Sequence, residues 1–358
     1  MAAQIAPEDQ RAELADQRRR VDFDTYDVTV DELLRRVARK RIDIAPIYQR
    51  QFRWDFARQS RLIESVLLGI PVPPLFMATN SGADNQNQWE VVDGLQRLLT
   101  LVNFAGDENA RVAAKLDNEK ALILTDMDKL TKFDGFEFAR LPDDIRTAFE
   151  DRPIRVVVLN DKSDLQVRYD LFERLNTGGV RLTPQEIREC VYRGAFMDLL
   201  DELAHTQDFR KVVILAENRW KDGTPQDFVL RFFAFLENYR HFSHLVDGFL
   251  KDFTDAAHKD PRVEERRSVF EQAFGFLARC FPEGITGKSG QTPVNLFEGV
   301  SAGCALALKQ DSQLHPVVNP PWIRSDDLRR FTTAATNTRP KVRGRIEYCR
   351  DQFLAYTD

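Results

Sequence analysis

Apolar positions in the first half of the chain switch between two spacings. In "TVDELLRRVARKRIDI", Leu33, Leu34 and Val37 recur at helical spacing and predict a short amphipathic helix capped by Thr29 or Asp31. "FARQSRLIESVLLG" places Leu62, Ile63, Val66 and Leu67 on one helical face, with Gly69 as a stop signal. Pro71, Pro73 and Pro74 then exclude helix and predict an extended lead into a strand at "LFMAT". The polar "NSGADNQNQ" separates this strand from a second one, "WEVVD", so a hairpin with a long connection is expected. "LQRLLTLVNFAG" returns to helical spacing.

Residues 106–150 are charged and less regular, and read as an insertion. "IRVVVLN" is rich in β-branched residues and predicts a buried strand. "SDLQVRYDLFERLN" predicts a helix with a capping-box start at Ser163 and Gln166. It stops at Asn176-Thr177-Gly178-Gly179. A second capping box follows, with Thr183 as cap, Pro184 in the first turn and Glu186 reaching back. From about residue 195 onward every pattern is helical, and "QDFVLRFFAFLENY" is apolar on most sides, as a core helix is. The expected class is α+β: a tail or frayed helix over 1–22, a small mixed sheet with flanking helices over 23–194, and an all-α region over 195–358.

Composition narrows the function classes. The chain of 358 residues is 43% hydrophobic and 30% charged, ordinary for a globular protein, with a net charge of −5. That total gives no support for a dedicated nucleic-acid binder and leaves a local basic patch open. Cys190, Cys280, Cys304 and Cys349 have no Cys-x-x-Cys spacing, so reduced thiols in a cytoplasmic protein are expected rather than a zinc ribbon. No long apolar run predicts a membrane span, and the N-terminus has no apolar signal core. Walker A and Gly-x-Ser-x-Gly motifs are missing. His241 and His244 in "HFSH" have metal-compatible spacing but no neighbouring third ligand, which favours a surface or core role.

Three stretches carry candidate chemistry. In "VVDGLQR", Gly94 joins a strand to a helix whose first turn offers unpaired N–H groups, and Arg97 adds a fork of donors. This suits a phosphate; a tight turn with an Asp–Arg surface pair is the competing reading. In "FERLNTGGVRLTPQEIRE", Arg174, Asn176 and Thr177 crowd a turn with Gly178 and Gly179; a helix C-cap and linker is the alternative there. In "IYQRQFRW", Gln49, Arg50 and Arg53 interleave with Tyr48, Phe52 and Trp54, a pattern that grips phosphates and stacks on bases, or that fills a core beneath solvated arginines.

The order "IYQRQFRW", "LIESVLLGIPVPPLF", "WEVVDGLQRLLTL", "LFERLNTGGVRLTPQEIR" resembles the family named for the N-terminal domain of the GmrSD restriction system, over roughly residues 25–240. The family's usual wording is Asp-Gly-Gln-Gln-Arg, and Leu95 replaces the first glutamine here. That family is similar in turn to ParB and sulfiredoxin, so the resemblance implies a ParB/sulfiredoxin-like sheet in which Gly94, Gln96 and Arg97 match a phosphate-binding turn. Arg174, Asn176, Leu182, Pro184 and Glu186 echo a second phosphate box. The resemblance implies binding and hydrolysis of a nucleoside triphosphate, with Mg2+, in antiphage DNA restriction. Asp93 would hold magnesium, orient a water or fix Arg97, while Glu173 and Glu186 are further carboxylate candidates. Arg97 and Arg50 would stabilise developing phosphate charge. Relatives often carry an HNH nuclease domain after this region; none is legible here, so DNA and a separate HNH nuclease or effector subunit are the expected partners, with no membrane. A ParB-like DNA nuclease and a non-catalytic nucleotide- or DNA-sensing subunit are the alternatives.

Overall fold

The computed structural model describes residue 11 and residues 22–44, 54–80, 88–116, 121–160, 169–171, 173–174, 183–243 and 245–355. The chain divides into two compact units, 1–181 and 182–358. The first unit is α+β. Its elements are β1 (Phe23–Thr29), α1 (Val30–Ala38), β2 (Ile42–Asp43), α2 (Phe56–Leu68), β3 (Leu75–Asn80), β4 (Gln88–Asp93), α3 (Leu95–Ala105), α4 (Glu108–Ala113), α5 (Asp143–Glu150) and β5 (Pro153–Leu159).

The five strands form one mixed sheet in the order β1-β5-β3-β4-β2. β1 pairs antiparallel with β5, β5 parallel with β3, β3 antiparallel with β4, and β4 parallel with β2. The predicted hairpin is therefore present. β1 was not legible as a strand. Five of its seven residues are exposed, so it lacks a buried alternation, and its register is set by pairing with β5 and by an Arg155–Asp27 ion pair.

Local capping explains the helix ends. Thr29 accepts the Glu32 N–H at the start of α1, Asp55 accepts the Arg58 N–H at the start of α2, and Gly69 ends α2 at φ 73°. Leu33, Leu34 and Val37 of α1, Ile63 and Val66 of α2, and Leu98, Leu101 and Val102 of α3 join Leu75, Met77, Val91, Val156 and Val158 in one core. Tyr26 stacks on Trp89 at 5.6 Å at its rim, with the Arg36 guanidinium 4.3 Å from the Trp89 ring centre. The segment expected as an insertion supplies Leu122, Leu124, Met127, Leu141 and Phe149 to the same core. It is tied down by Glu64, whose carboxylate accepts the N–H groups of Asp128, Lys129 and Leu130. Burial pushes the Glu64 pKa up, but those three donors outweigh it and hold the group below its ordinary value.

The second unit is helical among its described residues: α6 (Pro184–Val191), α7 (Ala195–Ala204), α8 (Gln207–Val212), α9 (Thr224–Asn238), α10 (Val246–His258), α11 (Val263–Cys280), α12 (Val294–Gln310), α13 (Asp326–Thr332) and α14 (Arg339–Ala355). The capping box at Thr183 and Glu186 is formed in both directions. Phenylalanines dominate this interior, with Phe270 and Phe274 stacked at 4.0 Å and Phe232 edge-on to both. Gly299 and Gly303 let α12 approach α14: a Cβ at Gly303 would lie 2.7 Å from the Cys349 Cβ and 2.8 Å from the Arg350 nitrogen.

A chain of alternating charges crosses this interior. Arg188 of α6 pairs with Asp227 of α9 at 2.6 Å, Asp227 with Arg231 at 2.6 Å, Arg231 with Glu298 of α12 at 2.7 Å, and Glu298 with Arg345 of α14. Arg188 and Arg345 are fully buried. Cys280, Cys304 and Cys349 are buried free thiols, and the Cys190 side chain lies outside the described residues. No helix among the described residues is long and apolar enough to cross a membrane.

Candidate functional site at the Gly94 turn

β4 does not run regularly into its turn. Met77 pairs with Val91, but the preceding residue of β3, Phe76, pairs with Asp93. Val92 is the extra residue of a bulge, and Val91 and Val92 are both buried. Regular alternation would set Asp93 opposite Leu75, on the core side shared by Met77 and Val91. The bulge moves Asp93 to the Phe76 side, which frees its carboxylate from the core.

Gly94 follows at φ 94°, a conformation that L side chains rarely adopt. A Cβ there would also sit 2.5 Å from Leu75 Cδ2 and 2.9 Å from Arg97 Nη2. Glycine is needed for the backbone and for the room Arg97 takes as it folds back. Gly94→Ala is expected to cost about 2–4 kcal/mol, from left-handed strain and overpacking together. Thermal unfolding checks this, and a midpoint within 1 °C of wild type (about a few tenths of a kcal/mol at this size) would contradict it.

α3 begins without a side-chain cap. Its first turn thus presents N–H groups and a partial positive charge. Arg97, 16% exposed, donates through Nη2 to Asp93 Oδ2 at 2.7 Å and to the Pro74 carbonyl at 3.0 Å. Its Nε is buried with no hydrogen-bond partner. The Asp–Arg pair of the competing reading is therefore formed. It is half-sunk rather than at the surface, and it fixes a guanidinium that keeps a buried N–H unspent.

Gln96 extends the site in another direction. Its Oε1 accepts the Trp54 N–H at 3.2 Å. Trp54 is the last residue of "IYQRQFRW" and the one residue of that stretch among the described residues, and it reaches the turn through this bond. Gln59 holds the same segment by donating to the Trp54 carbonyl at 2.8 Å, Asn103 donates to Gln59 at 3.0 Å, and Arg111 donates to the Asn103 carbonyl at 2.9 Å. This relay behind the turn was missed in the sequence. Its signal was the presence of Gln59 and Asn103 on otherwise apolar helix faces, where a buried amide needs a partner. Leu95 packs against the core, which explains how it stands where the family has glutamine.

The other predicted residues divide as follows. Gln49, Arg50, Arg53, Asn176, Thr177, Gly178, Gly179 and Leu182 lie outside the described residues. Glu173 and Arg174 are exposed on a helical stretch. Glu186 is 2% exposed and its carboxylate accepts the Thr183 N–H at 2.6 Å, so it is committed to its capping box. His241 is exposed, and His244 lies outside the described residues. Among the described residues no group of three or more His, Cys, Asp or Glu is suited to a metal.

Residues 30–193, just short of half the chain, match the family model described as the GmrSD restriction endonuclease, N-terminal domain. No curated protein and no solved structure matches the chain. The match spans β3, the bulged β4, the Gly94 turn and α3, as well as the capping-box helix α6. Residues 30–193 are therefore similar to the GmrSD-type N-terminal domain, which supports a role in restriction.

Proposed function

We propose that the first unit binds and hydrolyses a nucleoside triphosphate at the Gly94 turn, and that this reaction gates a nuclease or other effector in DNA restriction. The observation that carries the reading is Arg97, held by Asp93 and Pro74 beside an uncapped helix start, with Nε buried and unspent. Main-chain N–H groups and a fixed guanidinium suit phosphate oxygens. In phosphoryl transfer, positioning and charge stabilisation are nearly all the chemistry that a protein must supply. Arg97 would take charge developing on the phosphate, with Asp93 orienting it. Arg50, Arg53 and Gln49 of the segment leading into Trp54, and Arg174 with Asn176, Thr177, Gly178 and Gly179, are proposed as further phosphate contacts.

Magnesium fits this donor set in one way. The ion commonly binds through one or two carboxylates plus substrate phosphates, and Asp93 offers one carboxylate, of which Oδ2 is engaged by Arg97. Asp93 would hold an ion that arrives on the nucleotide and neutralises phosphate charge.

Phosphate release from ATP, GTP, CTP and UTP with magnesium tests the reading. Turnover of at least one is expected; none would reject hydrolysis. Tight binding without turnover would instead support a sensing subunit. Linearisation of plasmid by the purified chain with metal alone would support the nuclease reading.

A further inference from the structure

The whole chain carries −5, yet residues 324–345 hold seven cations against two carboxylates, a local charge of +5. One cation, Arg345, is buried against Glu298. The other six are Arg324, Arg329, Arg330, Arg339, Lys341 and Arg343, and they gather where α13 turns into α14. We propose that this corner of the second unit is a docking surface for the phosphate backbone of duplex DNA.

The corner is held in shape by its own packing. A Cβ at Gly344 would lie 2.3 Å from the Phe331 ring, so glycine lets the end of α13 press against the start of α14. Ser325 and Tyr348 share a hydrogen bond at 2.9 Å along the same seam. The connecting loop is pinned by its carbonyls. Asn295 donates to Thr332, Lys341 to Thr333 and Ala334, and Arg345 to Thr336. These carbonyls are taken up by the Asn295 amide and by Lys341 and Arg345, while Thr333, Asn337 and Thr338 are exposed between the arginines. Arginine, threonine and asparagine together are a phosphate-contacting set.

The arginines are available. Arg329, Arg330 and Arg343 are 58%, 75% and 58% exposed, and their partners Asp326, Asp327 and Glu347 lie three or four residues away on the same helices. Such exposed pairs contribute little and yield to a phosphate. A membrane surface fits less well. None of the exposed large apolar side chains lies between residues 324 and 345, so the corner lacks an apolar anchor. The choice of duplex DNA among polyanions rests on the restriction role proposed above; the location rests on the charge and packing.

The test is fluorescence anisotropy of a labelled 20-base-pair duplex with the full chain, without nucleotide. Four phosphate contacts give a salt slope of about −3.6, so wild-type affinity should fall on the order of 100-fold between 50 and 200 mM salt. Arg329→Glu with Arg330→Glu, and Arg339→Glu with Arg343→Glu, should each weaken binding at least tenfold and flatten that slope. The same pairs changed to glutamine should weaken it less, while Lys288→Glu, an exposed reversal elsewhere on the unit, should bind as wild type. Wild-type affinity in both reversed pairs, equal loss in Lys288→Glu, or no binding at 50 mM salt would overturn the proposal. Tighter capture by duplex RNA or by phosphatidylserine vesicles than by DNA would overturn the choice of partner. Nucleotide is left out, so failure of the hydrolysis reading leaves this result standing, and loss of DNA binding leaves the Gly94 turn untouched.

Discussion

Arg97→Ala is expected to lower kcat/KM for nucleoside triphosphate hydrolysis by about 10²–10³-fold, the usual effect of removing one preorganised charge donor. The effect is large because the guanidinium is fixed before any ligand arrives, by Asp93 Oδ2 on one side and the Pro74 carbonyl on the other. A lysine ammonium is a compact point charge on a flexible stem and lacks the planar guanidinium with its separate Nε and Nη1 donors, so Arg97→Lys should recover less than a tenth of the lost rate. Asp93→Ala separates two roles. If Asp93 acts only by fixing Arg97, the double variant is no worse than Arg97→Ala alone, because residues that act as a unit are not additive. Phosphate-release kinetics on the three variants check this. Turnover like wild type in both single variants would remove the site assignment.

The second large effect concerns stability. Glu298 bridges Arg231 and Arg345 and is 1% exposed. Glu298→Ala leaves Arg345 buried with no carboxylate partner and Arg231 with Asp227 alone. Breaking a buried pair in this way costs about 3–5 kcal/mol, on the order of 10 °C in Tm for a unit of this size. Replacing the partners together, as in Glu298→Leu with Arg345→Met, should recover much of that loss, since an apolar pair removes the stranded charge. Urea unfolding checks both variants. A Glu298→Ala midpoint equal to wild type would show that the charge chain adds nothing, and a double variant less stable than the single one would refute the stranded-charge explanation.

Much of this architecture was legible in the sequence because local and tertiary preferences agree. Thr29 and the Thr183–Glu186 box mark helix starts with side chains that satisfy end groups, Gly69 marks a helix stop with a left-handed backbone, and each does so in the structure. Misses fall where the deciding partner is remote. β1 is exposed along most of its length and becomes a strand through β5. The stretch expected as an insertion is core because Leu122, Leu124 and Phe149 pack against α-helices and strands far away in sequence. The same holds at the site. "VVDGLQR" announced a glycine turn, an acid and an arginine. It did not announce the Val92 bulge that turns Asp93 away from the core, since a bulge is a property of two paired strands. Nor did it show Pro74 as the second acceptor for Arg97, 23 residues away.

The central claim is that the Gly94 turn grips a polyphosphate. Thermal unfolding of the full chain with ATP, GTP, CTP or UTP and magnesium tests it without requiring turnover. At about a hundred times its dissociation constant, a bound nucleotide stabilises the fold by about 2.7 kcal/mol. The account predicts a shift of several degrees with at least one nucleotide, lost in Arg97→Ala. No shift with any of the four, or the same shift in Arg97→Ala, would contradict it.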